Sequence, residues 1–224
     1  MGIAAVIFDL DGVLVDSEGV WEAAREEVAR GHGGHWSADA QRAMMGMSST
    51  EWSAYMHEEL GVKLPPQQIS DLVASRLEDR YRRELPLLPG AREVVTSLAS
   101  QWPLALASSA NRSVIDLVLD QAGFRDCFAA TVSSEEVARG KPAPDVYLEA
   151  ARRLDASPER CVAVEDSSNG LRSAAAAGML VVAIPNREFP PSEETLAAAD
   201  VTLNTLSDLS AERLKTIAGT GARG

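Results

Sequence analysis

The stretch Phe8-Asp9-Leu10-Asp11-Gly12-Val13-Leu14-Val15-Asp16-Ser17 decides how this chain is read. It completes a fully apolar run, Ile3 to Phe8, that is too short for a helix and rich in β-branched residues, which predicts a buried strand. Two aspartates, two positions apart, stand where that strand ends and a loop begins. In open α/β sheets this edge is where ligands bind. Two carboxylates so close repel each other, and leaving both ionised is costly unless a cation sits between them. An Asp side chain is also a competent phosphoryl acceptor. Taken alone, the same residues are compatible with a plain Asp11-Gly12 turn.

Outward from this stretch, short apolar runs alternate with helical patterns. Leu104 to Ala107, Phe128 to Val132, Cys161 to Val164 and Leu180 to Ile184 read as strands, with Val201 to Leu203 as a last edge strand. Between them, helices are expected over Ala91 to Ser100, Arg112 to Ala122, Pro144 to Leu154 and Leu171 to Ala177, with Gly123 and Gly178 as stops. Continuously apolar strands separated by helices indicate a parallel sheet covered on both faces. The expected fold is therefore an α/β, doubly wound, Rossmann-like core. Residues 16–88 differ: no run resembles a strand, and three of the four tryptophans (Trp21, Trp36, Trp52) lie there. Helices are expected over Glu18 to Arg30, over Ser48 to Leu60 behind a Ser48/Glu51 capping box, and from Pro65-Pro66 to about Arg83. This predicts an all-helical cap over 16–88, inserted after the first strand into a core formed by 1–15 and 89–224.

Three further motifs follow strands. Val164-Glu165-Asp166-Ser167-Ser168-Asn169-Gly170 places a second acidic pair between a strand and a helix. Oxygen ligands from two strand ends suit a magnesium site, although Asp166 or Ser167 would serve equally as a helix cap. In Gly140-Lys141-Pro142-Ala143-Pro144-Asp145, a lysine before proline is placed to neutralise those carboxylates and grip phosphate. Ala107-Ser108-Ser109-Ala110-Asn111 offers a hydroxyl and N–H groups to an anion, or an ordinary cap to the next helix. Singly these signals are moderate. Together, four successive strands ending in acceptor, hydroxyl, cation and metal ligands are hard to produce by capping alone.

Bulk properties agree. A chain of 224 residues can bury a full core. Its net charge of −12 repels nucleic acid and anionic membranes, so neither is expected as a partner. The same charge repels phosphate esters, so a substrate site must bring its own positive charge. Cys127 and Cys161 form no CxxC and read as packing thiols. No secretory signal or membrane-length apolar run is visible, so a cytoplasmic location is expected, with monomer as the default.

The succession FDLDGVLVDSE, ASSANR, GKPAPD and VEDSSNG resembles the haloacid dehalogenase superfamily of phosphohydrolases. The helical insert resembles the subgroup containing β-phosphoglucomutase and the phosphoglycolate and sugar-phosphate phosphatases. The resemblance runs from Ile3 to about Leu206. It implies that Asp9 is the nucleophile that becomes an aspartyl phosphate and Asp11 the general acid and then base. It makes Ser108 the phosphate-binding hydroxyl, with the Leu10 and Ser109 backbones beside it. Lys141 is the charge-offsetting lysine. Asp9, Asp166 and the Asp11 carbonyl would hold Mg²⁺, with Glu165 as an outer ligand or its support. Carboxylate crowding is expected to raise the Asp11 pKa, and the insert to act as a lid.

The implied activity is hydrolysis of a small phosphate monoester. A mutase is the rival reading, but the mutases' cap histidine falls here at Trp21 and their cap arginine at Ser49 in Gly46-Met47-Ser48-Ser49-Thr50. A serine does not replace a bidentate cation, although Arg42 is positioned in sequence to compensate. Phosphonate hydrolysis needs a cap lysine, and Lys63 lies outside the expected entry helix. A phospho-acceptor signalling module without turnover is a third reading, disfavoured by the D-x-D arrangement after the first strand. Trp21, Met44, Met45, Met47 and Trp52 either line the lid pocket or pack the insert's own core. His32, His35 and His57 read as surface residues.

Overall fold

A computed structural model describes residues 2–186 and 190–220. Six parallel strands form one sheet: β1 (Ala5–Phe8), β2 (Leu104–Ser108), β3 (Phe128–Ser133), β4 (Cys161–Glu165), β5 (Leu180–Ala183) and β6 (Val201–Thr202), in the order β3-β2-β1-β4-β5-β6. All six coincide with expected runs. β1 is central, with Phe8 in register with Leu106 on one side and Val164 on the other. Because the order reverses at β1, a crevice opens beyond the carboxyl ends of β1 and β4, the switch point at which such sheets bind ligands.

Side chains alternate across the sheet. Val6, Phe8, Leu104, Leu106, Val162 and Val164 face one layer. That layer contains helices α5 (Ala91–Ala99), α6 (Arg112–Ala122) and α10 (Ala211–Thr220). On the other face Ala5, Ile7, Ala105, Ala107 and Ala163 meet α7 (Asp145–Arg153) and α8 (Ser168–Ala176). The small residues on this second face let α7 approach closely, which brings Tyr147 beneath the strand ends. A short α9 (Glu193–Leu196) precedes β6.

Four helices follow β1 before the chain returns to α5 and β2: α1 (Glu18–Gly31), α2 (Ala38–Met44), α3 (Ser49–Glu58) and α4 (Pro66–Arg83). Both halves of the Ser48/Glu51 capping box are present. Pro66 occupies the first turn of α4, where its missing N–H has no partner to lose. Helix α2, with its Ser37 cap, was not expected. At seven residues it is too short for its periodicity to stand out. The chain enters and leaves this segment side by side: Val15 pairs with Leu87 across an antiparallel bridge, and Leu88 N donates to Leu14 O. Their apolar side chains continue the layer of α5 and α6. Both cysteines are free thiols; Cys161 is buried, whereas Cys127 is only half-buried beside β3.

Candidate active site

Asp9, Lys141, Glu165 and Asp166 meet at the switch point, each nearly inaccessible to solvent. The Lys141 ammonium lies 2.7 Å from Asp9 Oδ1 and 2.5 Å from Glu165 Oε1. Burial works against this ammonium, but the Asp9 and Glu165 carboxylates outweigh it and hold its pKa above the usual lysine value. Its approach comes from the loop after β3, where the Lys141–Pro142 peptide is cis.

Glu165 has both oxygens engaged. Oε1 also accepts from the Tyr147 hydroxyl at 2.8 Å, and Oε2 accepts from the Asp166 and Ser167 N–H groups at 3.0 and 3.2 Å. Its side chain fills the notch left by Gly170, where a Cβ would collide with the carboxylate. The oxygens of Asp9, Glu165 and Asp166 are close enough to share one ion, but Glu165 is the member already saturated with donors. Asp9 and Asp166 therefore keep oxygens free for such an ion. Burial pushes the Asp9 carboxyl up to about 8 against the pull of Lys141, and burial with the Glu165 and Asp9 charges raises Asp166 well above the carboxylate range. Lys141 alone thus does not suffice to keep both carboxyls ionised, and this oxygen donor set fits a hard divalent cation that would. Gly12, at φ +74°, permits the close approach, since a Cβ there would strike the Asp166 carboxylate. Ser167, not Asp166, caps α8 by accepting from Gly170 N at 3.1 Å, so the alternative cap reading holds for Ser167 and leaves Asp166 free.

Asp11 lines the same pocket, with Oδ1 accepting the Trp21 indole N–H at 2.8 Å. Its pKa is raised, but by burial; the Trp21 hydrogen bond and the Arg25 charge oppose the rise. The expected carboxylate crowding is therefore not the cause. Ser108, at the end of β2, is fully buried, and its Oγ accepts from Ala110 N at 3.0 Å. The pocket wall there is formed by Ser109 and Ala110. The Leu10 side chain is buried in the core, which leaves its backbone to serve the loop.

The roof of the pocket comes from the helical segment: Glu18, Trp21 and Arg25 on one face of α1, Met45 to Met47 after α2, and Trp52 on α3. Of the expected apolar lining only Met44 is missing; it is wholly buried in the core. Ser49 does not face the pocket but donates to Glu135 Oε1 at 3.0 Å. Arg42 does not line the pocket either: it is exposed and paired with Asp39. Lys63 and the three histidines are exposed as well. The cation in the roof is instead Arg25, which the motifs did not single out. Tyr147 was missed too, since nothing local in Val146-Tyr147-Leu148 marks it.

Residues 3–178 match the family described as haloacid dehalogenase-like hydrolase. Hexitol phosphatase B of Escherichia coli (strain K12) is 34% identical over 219 residues, covering 95% of this chain and 96% of that protein. The bifunctional riboflavin kinase/FMN phosphatase of Arabidopsis thaliana is 29% identical over 216 residues; the match covers 94% of this chain and 55% of that longer protein. Among solved structures, CbbY from Rhodobacter sphaeroides in complex with phosphate superposes with a TM-score of 0.81 at 27% identity, covering 92% of this chain and 96% of that one. β-Phosphoglucomutase from Clostridium difficile superposes with a TM-score of 0.84 at 24% identity, covering 97% of each chain, a likeness of fold. No described helix is long and apolar enough to cross a membrane.

Proposed function

The chain belongs to the haloacid dehalogenase-like hydrolases, and from that premise we propose that it is a Mg²⁺-dependent phosphatase of small phosphate monoesters, working through an aspartyl phosphate on Asp9. The observation that carries this reading is the buried Lys141 ammonium clamped between Asp9 and Glu165, with Asp166 alongside. That arrangement holds one Asp9 oxygen and leaves the other to attack.

The roles follow from chemistry. Asp9 attacks phosphorus, and the P–O bond to the leaving group breaks as the new O–P bond forms. Asp11, whose carboxyl burial pushes above its ordinary value, donates its proton to the departing oxygen. It then takes a proton from water as that water attacks the aspartyl phosphate, releasing phosphate and restoring Asp9. Lys141 offsets charge on Asp9 and on the phosphoryl oxygens. The Ser109 and Leu10 backbones, with Ser108, would cradle the phosphoryl group. Mg²⁺, held by Asp9, Asp166 and the Asp11 carbonyl, would neutralise the charge that accumulates on that group. Glu165 and Tyr147 orient Lys141. The roof shields the strand ends from bulk water, and residues 16–88 act as a cap that swings to admit substrate.

The names of the relatives support phosphate-ester hydrolysis. Mutase chemistry remains as a second reading because Arg25 supplies the roof cation that a doubly phosphorylated intermediate needs. A phosphate-release screen over sugar phosphates and phospho-acids with Mg²⁺ tests the proposal. Free phosphate should appear with the wild type, and Asp9→Asn should lower the rate by at least about 10³-fold. Conversion of β-glucose 1-phosphate to glucose 6-phosphate without free phosphate would select the mutase. A persistent phosphoenzyme without release would select the signalling reading.

A further inference from the structure

Arg25 is an unusual residue to find above a phosphate site. It is 5% exposed, on the face of α1 that also carries Glu18 and Trp21 toward the pocket. Its guanidinium stacks on two indoles, 4.7 Å from the Trp21 ring and 5.1 Å from the Trp52 ring. Its one side-chain hydrogen bond among the described residues is a long 3.5 Å contact to Gln41 Oε1, and its buried Nε–H has no partner. No carboxylate of the described residues forms an ion pair with it. Glu18 is near, yet burial raises that carboxyl to about 7, so it is not a permanent counter-ion. A buried cation without a paired anion is costly, and Arg25 lines the pocket that a leaving group would occupy.

We propose that Arg25 is the specificity-determining residue of this site: its guanidinium receives a carboxylate carried on the leaving group, so that the preferred esters are short phosphorylated hydroxy acids. This rests on the phosphatase reading and adds to it the chemical class of the leaving group. The planar fork of an arginine matches a carboxylate with two parallel hydrogen bonds. The two indoles hold the fork in place in advance of binding. A leaving group without the carboxylate leaves the fork unpaired, a situation that discriminates strongly between near-isosteric ligands.

The test compares 3-phosphoglycerate with glycerol 3-phosphate, two three-carbon esters that differ in a carboxylate against a hydroxymethyl group. The wild type should favour the acid in kcat/KM by at least about 10-fold, and Arg25→Met should bring the ratio to about one. Fructose 1,6-bisphosphate, as a third arm, separates a carboxylate site from a second-phosphate site; a preference for the bisphosphate lost in Arg25→Met would overturn the carboxylate assignment. An equal fall on both three-carbon esters would mean that Arg25 only packs the roof. Wild-type enzyme provides an independent reading should the variant not fold: D-glycerate should inhibit phenyl phosphate hydrolysis at concentrations where glycerol does not, and equal inhibition defeats the inference. If no ester, phenyl phosphate included, releases phosphate above the Asp9→Asn level, the phosphatase reading itself fails. Preserved turnover without selectivity sinks the Arg25 assignment alone.

Discussion

The floor and the roof of this pocket treat buried charge in opposite ways. On the floor, Lys141 touches two carboxylates, and Glu165 accepts hydrogen bonds at both oxygens. In the roof, Arg25 rests on aromatic faces with an unused N–H, and Glu18 meets Gln41 rather than a cation, accepting from Gln41 Nε2 at 3.2 Å. A floor already ordered needs little reorganisation when charge develops on phosphorus, which is where electrostatic preorganisation acts. A roof with open valences is instead completed by whatever enters. Under the proposed function, the difference gives the reaction chemistry to the strand ends and selection among substrates to the helices.

The largest effect should come from breaking the floor. Lys141→Met removes the cation shared by Asp9 and Glu165, and phosphate release should fall on the order of 10³-fold for acidic and neutral esters alike. A loss that depended on the leaving group would blur the division between floor and roof.

A roof change of intermediate size concerns stability. The Glu18 carboxyl releases its proton near 7 in the folded chain, against an ordinary value of 4.5. As pH rises from about 4.5 to 7, the unfolded chain loses this proton first, so folding stability drains away across that window. Glu18→Gln should therefore be more stable than the wild type at pH 8 by roughly 2 kcal/mol and no different at pH 4. Urea unfolding of the metal-free protein at the two pH values measures this, and an equal offset at both would show that Glu18 ionises freely.

The smallest effect lies where roof and floor meet. Trp21→Phe keeps the ring but removes the N–H that favours ionised Asp11. The Asp11 pKa should rise further, and the alkaline limb of the kcat/KM profile should shift to higher pH. Turnover should fall by only about 3–10-fold, the scale of one hydrogen bond. An unshifted limb would remove Asp11 from the role of proton donor.

The floor was legible because its residues sit in contiguous motifs attached to strands. A strand end leaves little freedom of direction, so Asp9, Asp11, Glu165 and Asp166 could be placed from their positions in the chain, whereas Lys141 reaches them from the loop beyond β3. The roof was harder to read. The helical pattern of α1 places Glu18, Trp21 and Arg25 on one face, but an arginine followed by Glu26-Glu27 reads as solvated surface, since arginine is so rarely buried. Arg42 was the expected substitute cation, and the phase of the short helix α2 turns it outward to Asp39.

By itself, the sequence determined the order of the motifs along the chain: a carboxylate pair, a hydroxyl, a lysine and a second acidic pair, each following a strand, with a helical insert between the first and the second. Strand periodicity and turn residues encode that locally. Only the tertiary structure decided that Glu165 is saturated by Lys141, Tyr147 and the turn of α8, and that Arg25, not Arg42 or Ser49, lines the pocket above Asp9. Such choices depend on distances between segments remote in sequence, up to 132 residues apart for Lys141 and Asp9. Packing sets those distances, and no local pattern records them.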